Sequence, residues 1–370
     1  MSRFNVGGTS QFLFHLTKEM EDESYENLLV VGECSKKETE DVRLHDLQHL
    51  KLRGLGPDDT LFQAITAVFK LRKIIKDFSP DIVNTHTSKA GFIGRLANFT
   101  FRKRSKLAHT FHGHVFHGYF NQIVEWTLRC IERLLMRLTD YVYVVGDRVL
   151  RELQSLHIIS SKPYKVVWPY VPELNMGNRS SLRKQLGIDE NKIVIGWLGR
   201  KVPIKRLDRI IELSKRLPNC IFIIAGDGNY FLNNNQSENN VIRVANVIEL
   251  GVSSPDFIWT VSDICLSVSD NEGIPISPIE SSIAGKPVVA TNVGSTEEVV
   301  VHGLTGFLCQ PDVDSIFFSL VLLIDNPTRL KEFGRNAEIF AKAKFDSRRI
   351  IRSYIDGYHT AFQVDGSSAQ

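Results

Sequence analysis

The chain has 370 residues, 43% apolar and 24% charged, which excludes intrinsic disorder, collagen and a coiled-coil rod and suits two domains of ordinary size. Its 45 Lys and Arg against 42 Asp and Glu leave a net +3, too small a surplus to coat nucleic acid, and no nucleic-acid partner is expected. Five scattered cysteines, Cys34, Cys130, Cys220, Cys265 and Cys309, form no Cys-x-x-Cys pair, so a reduced, cytoplasmic chain without a disulfide framework or metal ribbon is expected.

No run approaches the roughly 18–20 apolar residues that cross a bilayer. The best runs, 316–324 and 141–145, are core-sized, and 1–20 lacks a signal-peptide pattern. A soluble or peripheral protein is expected. Predicted strands at 28–31, 82–85, 107–111, 141–145 and 165–168 alternate with helix-period segments at 9–20, 61–78, 90–99, 122–138 and 148–156. Apolar strands separated by helices predict a parallel sheet covered on both faces. Pro169, Pro172 and the polar run 175–181 then mark a linker over 169–183. The alternation restarts with strands at 193–198, 220–225, 247–250, 264–268, 287–290 and 306–309. Helices are predicted at 206–217, 276–284, 296–301, 315–324, 328–343 and 347–362. The fold class is therefore α/β, with two Rossmann-like, doubly wound domains at 1–172 and 173–345 and a C-terminal helix in 346–370. Ligands are expected in a cleft at the carboxyl ends of the strands. At the start, Gly7-Gly8-Thr9 has the form of the turn after a first strand, yet 1–6 carries little strand signal. The first strand is predicted to be missing, and the start at Met1 reads as mis-assigned or truncated.

Two segments of the second domain carry chemistry. In 267–280, an apolar strand leads through Glu272 and Gly273 into a helix bearing Glu280, eight positions on. Exposed N–H groups over Gly273, Ile274, Pro275, Ile276 and Ser277 suit phosphate or sugar oxygens at a helix N-terminus. Glu280 could accept from a ribose diol and Glu272 from a hexose hydroxyl. The plainer reading is acidic residues favoured near a helix start by its dipole. In 196–206, a strand ends at Gly199 and is followed by Arg200 and Lys205 around Pro203. The Arg200 fork and the mobile Lys205 ammonium could neutralise a diphosphate without a metal; a solvated basic loop is the alternative.

Gly199-Arg200…Lys205, Ala225-Gly226-Asp227-Gly228, Glu272-x7-Glu280, Ala284-Gly285-Lys286-Pro287 and Gly303-Leu304-Thr305-Gly306 occur in that order over 190–345. The set resembles the donor domain of family 4 retaining glycosyltransferases of GT-B architecture. The resemblance implies that Arg200 and Lys205 hold the nucleotide diphosphate, Glu272 the donor sugar and Glu280 the ribose. It further implies that the strand around Val247 cradles the base, that Gly226 lies near the nucleotide, and that no metal or other cofactor is needed. The N-terminal half resembles the family more loosely. Gly7 and Gly8 match its glycine loop near diphosphate and acceptor, and His112 an active-site histidine at a strand end. The stretch with His86, Ser88 and Lys89 resembles one found in bacterial surface-polysaccharide members.

Other signals have plainer readings. His86, His109, His112, His114 and His117 cluster, but no Cys or carboxylate completes a metal set. Asp312-Val313-Asp314 precedes a helix and reads as an N-cap rather than a metal-binding D-x-D. Gly226-Asp227-Gly228 closes a strand as a tight turn. Arg102, Lys103, Arg104 and Lys106, with Arg129, Arg133 and Arg137 beside Trp126, Leu134 and Leu135, suggest either a solvated face or contact with an anionic membrane.

The expected protein is a retaining glycosyltransferase that moves a sugar from a nucleotide diphosphate, UDP before GDP, to a lipid-linked or growing glycan. It would work in the cytoplasm or on the inner face of the plasma membrane in polysaccharide biosynthesis. Glu272, His112, Arg200 and Lys205 would form the reacting centre. The resemblance implies a same-face route in which the departing phosphate helps deprotonate the acceptor. A nucleotide-sugar epimerase of the same architecture and a non-catalytic nucleotide-sugar-binding protein are the alternatives.

Overall fold

A computed structural model describes residues 1–22, 25–36, 38–99, 105–113, 121–159, 162–228 and 245–363, without the side chains of 361–363. Arg102, Lys103, Arg104, His114 and His117 lie outside the described residues. The chain forms two compact units, Met1–Tyr170 with Ser347–Gln370, and Val171–Asp346.

The first unit runs α1 (Gly8–Asp22), β1 (Leu29–Val31), β2 (His49–Lys51), α2 (Leu61–Phe78), β3 (Ile82–His86), α3 (Ser88–Phe99), β4 (Lys106–Phe111), α4 (Gln122–Met136), β5 (Tyr141–Val145), α5 (Asp147–Ser155) and β6 (Tyr164–Val167). A four-stranded parallel sheet has the order β3-β4-β5-β6, and β1-β2 form a separate parallel pair. Every residue of β5 is buried, as its unbroken apolar run requires between two helical layers. The start of α2 is set by a capping box. Thr60 Oγ1 accepts from Gln63 N at 3.3 Å, and Gln63 Oε1 accepts from Thr60 N at 2.7 Å. Ser79, left-handed at φ 50°, ends it just before Pro80.

The second unit contributes α6 (Arg179–Gln185), β7 (Val194–Leu198), α7 (Leu207–Arg216), β8 (Ile221–Ala225), β9 (Val247–Glu249), α8 (Pro255–Val261), β10 (Ile264–Ser267), α9 (Ile276–Ile283), β11 (Val288–Thr291), β12 (Gly306–Cys309), α10 (Val313–Ile324) and α11 (Pro327–Lys344). Its six strands are parallel in the order β12-β11-β10-β7-β8-β9. The chain winds outward from β7 to β9, then crosses back to β10 and winds the other way. The switch point is therefore the carboxyl end of the β7–β10 pair, where ligands of open α/β sheets bind. Ile195, Trp197, Phe222, Ile224, Leu266 and Val289 fill the core beneath it.

The last helix, α12 (Ser347–Gln363), belongs to the first unit. Tyr354 stacks on Tyr143 of β5 at 4.0 Å, and Tyr143 Oη donates to Tyr354 O at 2.7 Å. Gly357 is required there, because a Cβ would stand 2.4 Å from Tyr143 Oη.

Three short elements, β2, α6 and α8, depart from the sequence reading. The stretch read as linker already forms α6, because Asn178 Oδ1 caps it from Ser181 N at 2.9 Å. The segment read as helix at 296–301 is a single 3-10 turn, Thr296–Glu298. No strand forms over residues 1–6 beyond an isolated bridge of Asn5 to Glu40. No described helix is long and apolar enough to cross a membrane.

Candidate active site

At the switch point, two loops are tied into one surface. The loop after β7 makes a 3-10 turn, Pro203–Lys205. Asp270 N donates to Ile204 O at 2.9 Å, and Arg206 reaches Asp270 Oδ2 at 3.0 Å, joining it to the loop after β10. Arg209 on α7 donates to Val268 O at 2.7 Å. Ser277 Oγ, in the first turn of α9, donates to Leu198 O at 2.6 Å and draws that helix start against the end of β7. Two glycines let backbones meet here. A Cβ on Gly226, at φ 134°, would stand 1.8 Å from Gly199 O, and one on Gly294, at φ 53°, 1.7 Å from Glu272 O.

Glu272 lies between the loops. Its Oε1 is 2.6 Å from Lys205 Nζ and accepts from Ser269 Oγ at 2.6 Å, while Ser269 O accepts from Thr291 Oγ1 at 2.7 Å. Arg200 is exposed at the start of the loop that carries Lys205. Together with the N-terminus of α9, the cations give a positive surface with one held carboxylate, suited to an anion that carries hydroxyl groups. Glu280 is buried at 3% exposure, and burial raises its pKa to about 7, against the opposing pull of the Trp259 indole. Trp259 Nε1 is buried and acts on Glu280 without meeting full hydrogen-bond geometry. Lys201, buried, donates to Glu249 Oε1 at 2.6 Å and Leu250 O at 3.0 Å, which ties the β7 loop to the carboxyl end of β9; Val247 instead opens β9, opposite Phe222 and packed on the core, so the expected base contact falls to the strand end after it.

In the first unit, the carboxyl ends of β3 and β4 carry the histidines. His86 Nδ1 and His112 Nε2 share a hydrogen bond at 2.9 Å, and Phe12 of α1 packs edge-on to His112 at 5.6 Å. His109 bonds Thr85 Oγ1 at 2.8 Å under α3 and is structural. Lys89 Nζ donates to Gly56 O and Asp59 O, Ser88 opens α3, and Gly7-Gly8 open α1. Among the described residues, no group of three or more His, Cys, Asp or Glu could hold a metal ion. Asp312 caps α10, accepting from Ser315 N at 2.8 Å.

Burial lowers the pKa of His86 and His109 well below the ordinary value and that of His112 to about 4. The unfolded chain takes up these protons near pH 6.5, whereas the folded unit refuses them, so stability falls as pH drops from about 6.5 towards 4. Urea unfolding of the first unit is expected to lose at least about 2 kcal/mol between pH 7 and pH 5 from these rings. A pH-independent midpoint over that interval would contradict their neutral burial.

Residues 6–172 match the profile of Glycosyltransferase Family 4, and residues 178–340 that of Glycosyl transferases group 1. The chain belongs to the group 1/family 4 glycosyltransferases. An Escherichia coli UDP-Gal:α-D-GlcNAc-diphosphoundecaprenol α-1,3-galactosyltransferase is 27% identical over 289 residues, 72% of each chain. A Bacillus anthracis N-acetyl-α-D-glucosaminyl L-malate synthase is 23% identical over 61% of each. Anabaena HepE, solved with UDP and glucose, superposes with a TM-score of 0.78 at 21% identity over 96% of this chain and 97% of that one. Sucrose-phosphate synthase of Thermosynechococcus elongatus gives a TM-score of 0.78 at 16% identity, over 97% and 94%. At these identities the structural likeness is one of fold, and the fold of this glycosyltransferase is GT-B.

The glycosyltransferase therefore brings Gly199, Arg200, Lys205, Gly226, Glu272, Gly273, Ile274, Pro275, Ile276, Ser277 and Glu280 to one end of one sheet. His86, His112, Ser88, Lys89, Gly7 and Gly8 belong to the other unit. Lys201, Ser269, Arg209, Asp270 and Trp259 escaped the sequence reading. Apart from Ser269, three residues from Glu272, their partners lie far away along the chain; Lys201, Ser269 and Asp270 fall within the two segments singled out above, but no role was read for them.

Proposed function

We propose that this glycosyltransferase moves a sugar from a UDP-sugar to a hydroxyl of a lipid-linked or growing glycan, with retention at the anomeric carbon. The observation that carries the reading is the meeting of Lys205, Glu272 and the N-terminus of α9 at the switch point, with Arg200 on the loop that carries Lys205. The UDP bound in HepE and the UDP-sugar and diphosphoundecaprenol in the E. coli relative's name support the donor and acceptor classes.

Breaking the sugar–phosphate bond builds charge on the diphosphate. Arg200, Lys205 and the α9 N–H groups stabilise it most as it develops, which is what lowers the barrier. No metal is assigned to this step, so a chelator leaves the rate unchanged. Glu272 orients the sugar, the departing phosphate takes the acceptor proton, and His112, neutral at working pH, contacts the acceptor. Glu280 receives the ribose diol, and the end of the strand that Val247 opens lies beside the base.

Glu280 provides the test of the donor site. As a carboxylate it accepts two hydroxyl bonds, and with its pKa near 7 that form dominates only at higher pH. Affinity for UDP-glucose, a probe whose diphosphate does not titrate in this range, is expected to rise roughly tenfold from pH 6 to pH 8. Glu280→Gln should weaken binding and flatten the profile. A pH-independent affinity in the unaltered protein would remove Glu280 from the site.

Peripheral membrane contact is part of the reading. On α4, Ile123, Trp126 and Leu134 present an uncovered apolar face, exposed by 78%, 63% and 60%. Of the arginines, Arg133 and Arg137 are exposed, as the solvated-face reading expects, Arg133 also donating to Leu156 O at 2.8 Å, while the half-buried Arg129 pairs with Glu125 at 3.2 Å. On α2, exposed Phe62, Ile65 and Phe69 are followed by exposed Lys70, Arg72, Lys73 and Lys76. An apolar face flanked by cations suits an anionic leaflet. The protein should float with phosphatidylglycerol vesicles, and Trp126→Ser/Leu134→Ser should float several-fold less. Failure of the unaltered protein to float would end the membrane assignment.

A further inference from the structure

The register of β3 on β4 sorts the histidines onto two faces. His86 stands opposite Thr110, and Thr85 opposite His109. Side chains alternate along a strand, so His112, two residues past Thr110, returns to the face of His86. There His86 Nδ1 and His112 Nε2 lie 2.9 Å apart, while His109 turns to the other face and bonds Thr85. His86 is only 4% exposed, too buried to meet a substrate, whereas His112 is half-buried.

The pair is held on both sides. Thr87, the residue after His86, is β-branched yet left-handed at φ 68°, a conformation such residues keep only where their surroundings impose it. Its carbonyl accepts from Gly91 N at 2.8 Å as α3 begins, and its Oγ1 accepts from Ser2 N at 3.2 Å. Phe12 of α1 packs on His112 at 5.6 Å and on Tyr354 at 5.2 Å. Burial keeps both imidazoles neutral at pH 7. Two neutral imidazoles joined by one hydrogen bond bring one N–H and one bare nitrogen to it. The choice at the bond therefore decides whether His112 Nδ1 carries a proton. That nitrogen has no hydrogen-bond partner among the described residues, so it is the one left for a substrate.

We propose that His86 is a positioning residue: its Nδ1–H donates to His112 Nε2, which fixes the His112 ring and places the His112 proton on Nδ1. The inference rests on the acceptor-side role proposed for His112. In that reaction the acceptor hydroxyl gives its proton to the departing phosphate. A bare Nδ1 would compete for this proton and become a buried imidazolium, which costs desolvation. An Nδ1–H donates to an acceptor oxygen instead and takes up nothing, so the phosphate remains the base. His112 thus holds the acceptor, and His86 decides that it does so as a donor.

The test pairs His86→Leu with His86→Asn. The Asn amide donates where Nδ1–H does, and Leu does not. Leu is expected to lower kcat for transfer about 10–100-fold and Asn to recover most of it, with UDP affinity unchanged in both. A packing role predicts the reverse order, since a buried Leu needs no partner. The ring signals of the ¹⁵N-histidine-labelled full chain at pH 7 need no substrate. His112, identified by its loss in His112→Ala, should carry its proton on Nδ1, and should become a mixture of tautomers in His86→Leu. A proton on Nε2, equal kcat for Leu and Asn, or UDP affinity falling in step with kcat overturns the proposal. His112→Ala separates it from the reading on which it rests. If transfer survives that change, both fall; if transfer is lost there but undiminished in His86→Leu, only the role of His86 falls.

Discussion

Lys205→Ala is expected to lower kcat/KM for sugar transfer by about 10²–10³-fold, with the protein still folded. The Lys205 ammonium stands 2.6 Å from Glu272 Oε1, in a loop fastened to its neighbour by the Asp270 N to Ile204 O bond. Its position is therefore set before any donor arrives, so its charge acts on the leaving diphosphate without reorganisation. Stability should change little, because the ammonium is 23% exposed and a partly solvated pair contributes about 1 kcal/mol or less. Glu272→Ala should lose a comparable amount of rate for a different reason. The sugar loses its orienting acceptor, and Lys205 its partner. Steady-state kinetics beside circular dichroism would check both. A well-folded variant with near-native turnover would refute the role of the residue changed.

Glu132→Ala should cost the first unit about 3–5 kcal/mol, the largest stability loss expected of any single change here. Arg95 on α3 is fully buried, and its guanidinium is held by Glu132 of α4 through two bonds, 2.5 and 3.0 Å, with Nε donating to Gly91 O at 2.9 Å. Removing the carboxylate leaves an always-charged group in the core with only the Gly91 carbonyl and the weak Met136 thioether as acceptors. Gly91 also explains why α3 sits so close: a Cβ there would stand 2.6 Å from His109 Cε1. The ion pair therefore fixes the helix that covers the histidine-bearing strand. The double variant Arg95→Met/Glu132→Leu should recover most of the loss, since an apolar pair of similar volume needs no desolvation. Urea unfolding of the three proteins tests this. A single variant as stable as the parent would show that water or another group already compensates Arg95.

Elements with a strong period or a complete cap were legible in the sequence. The bounds of α2 and β5 fall where they were predicted, because a capping box and an unbroken apolar run define them locally. The three-residue β2, the helix α6 inside a polar run and the helix α8 behind Ser254-Pro255 carry too few apolar positions to show a period. In the site, Glu272 and Glu280 were legible by their spacing, and Arg200 and Lys205 by their place after a strand. The groups that hold them were not. Thr291 steadies Ser269 from β11, Arg209 reaches Val268 from α7, and Trp259 of α8 acts on Glu280, all by tertiary contacts that leave no local pattern. The arginines of α4 were legible in part: Arg133 and Arg137 are exposed as the spacing suggested, while Arg129 is half-buried against Glu125.

The most direct test of the central claim is incubation of the protein with UDP-[¹⁴C]sugars and a bacterial lipid extract, following label and free UDP together. The account predicts label moving into the lipid phase with an equal release of UDP, a product α-linked like the donor, and the loss of both signals in Lys205→Ala. A sugar nucleotide returned altered with no labelled lipid, or bound and returned unchanged, would contradict it.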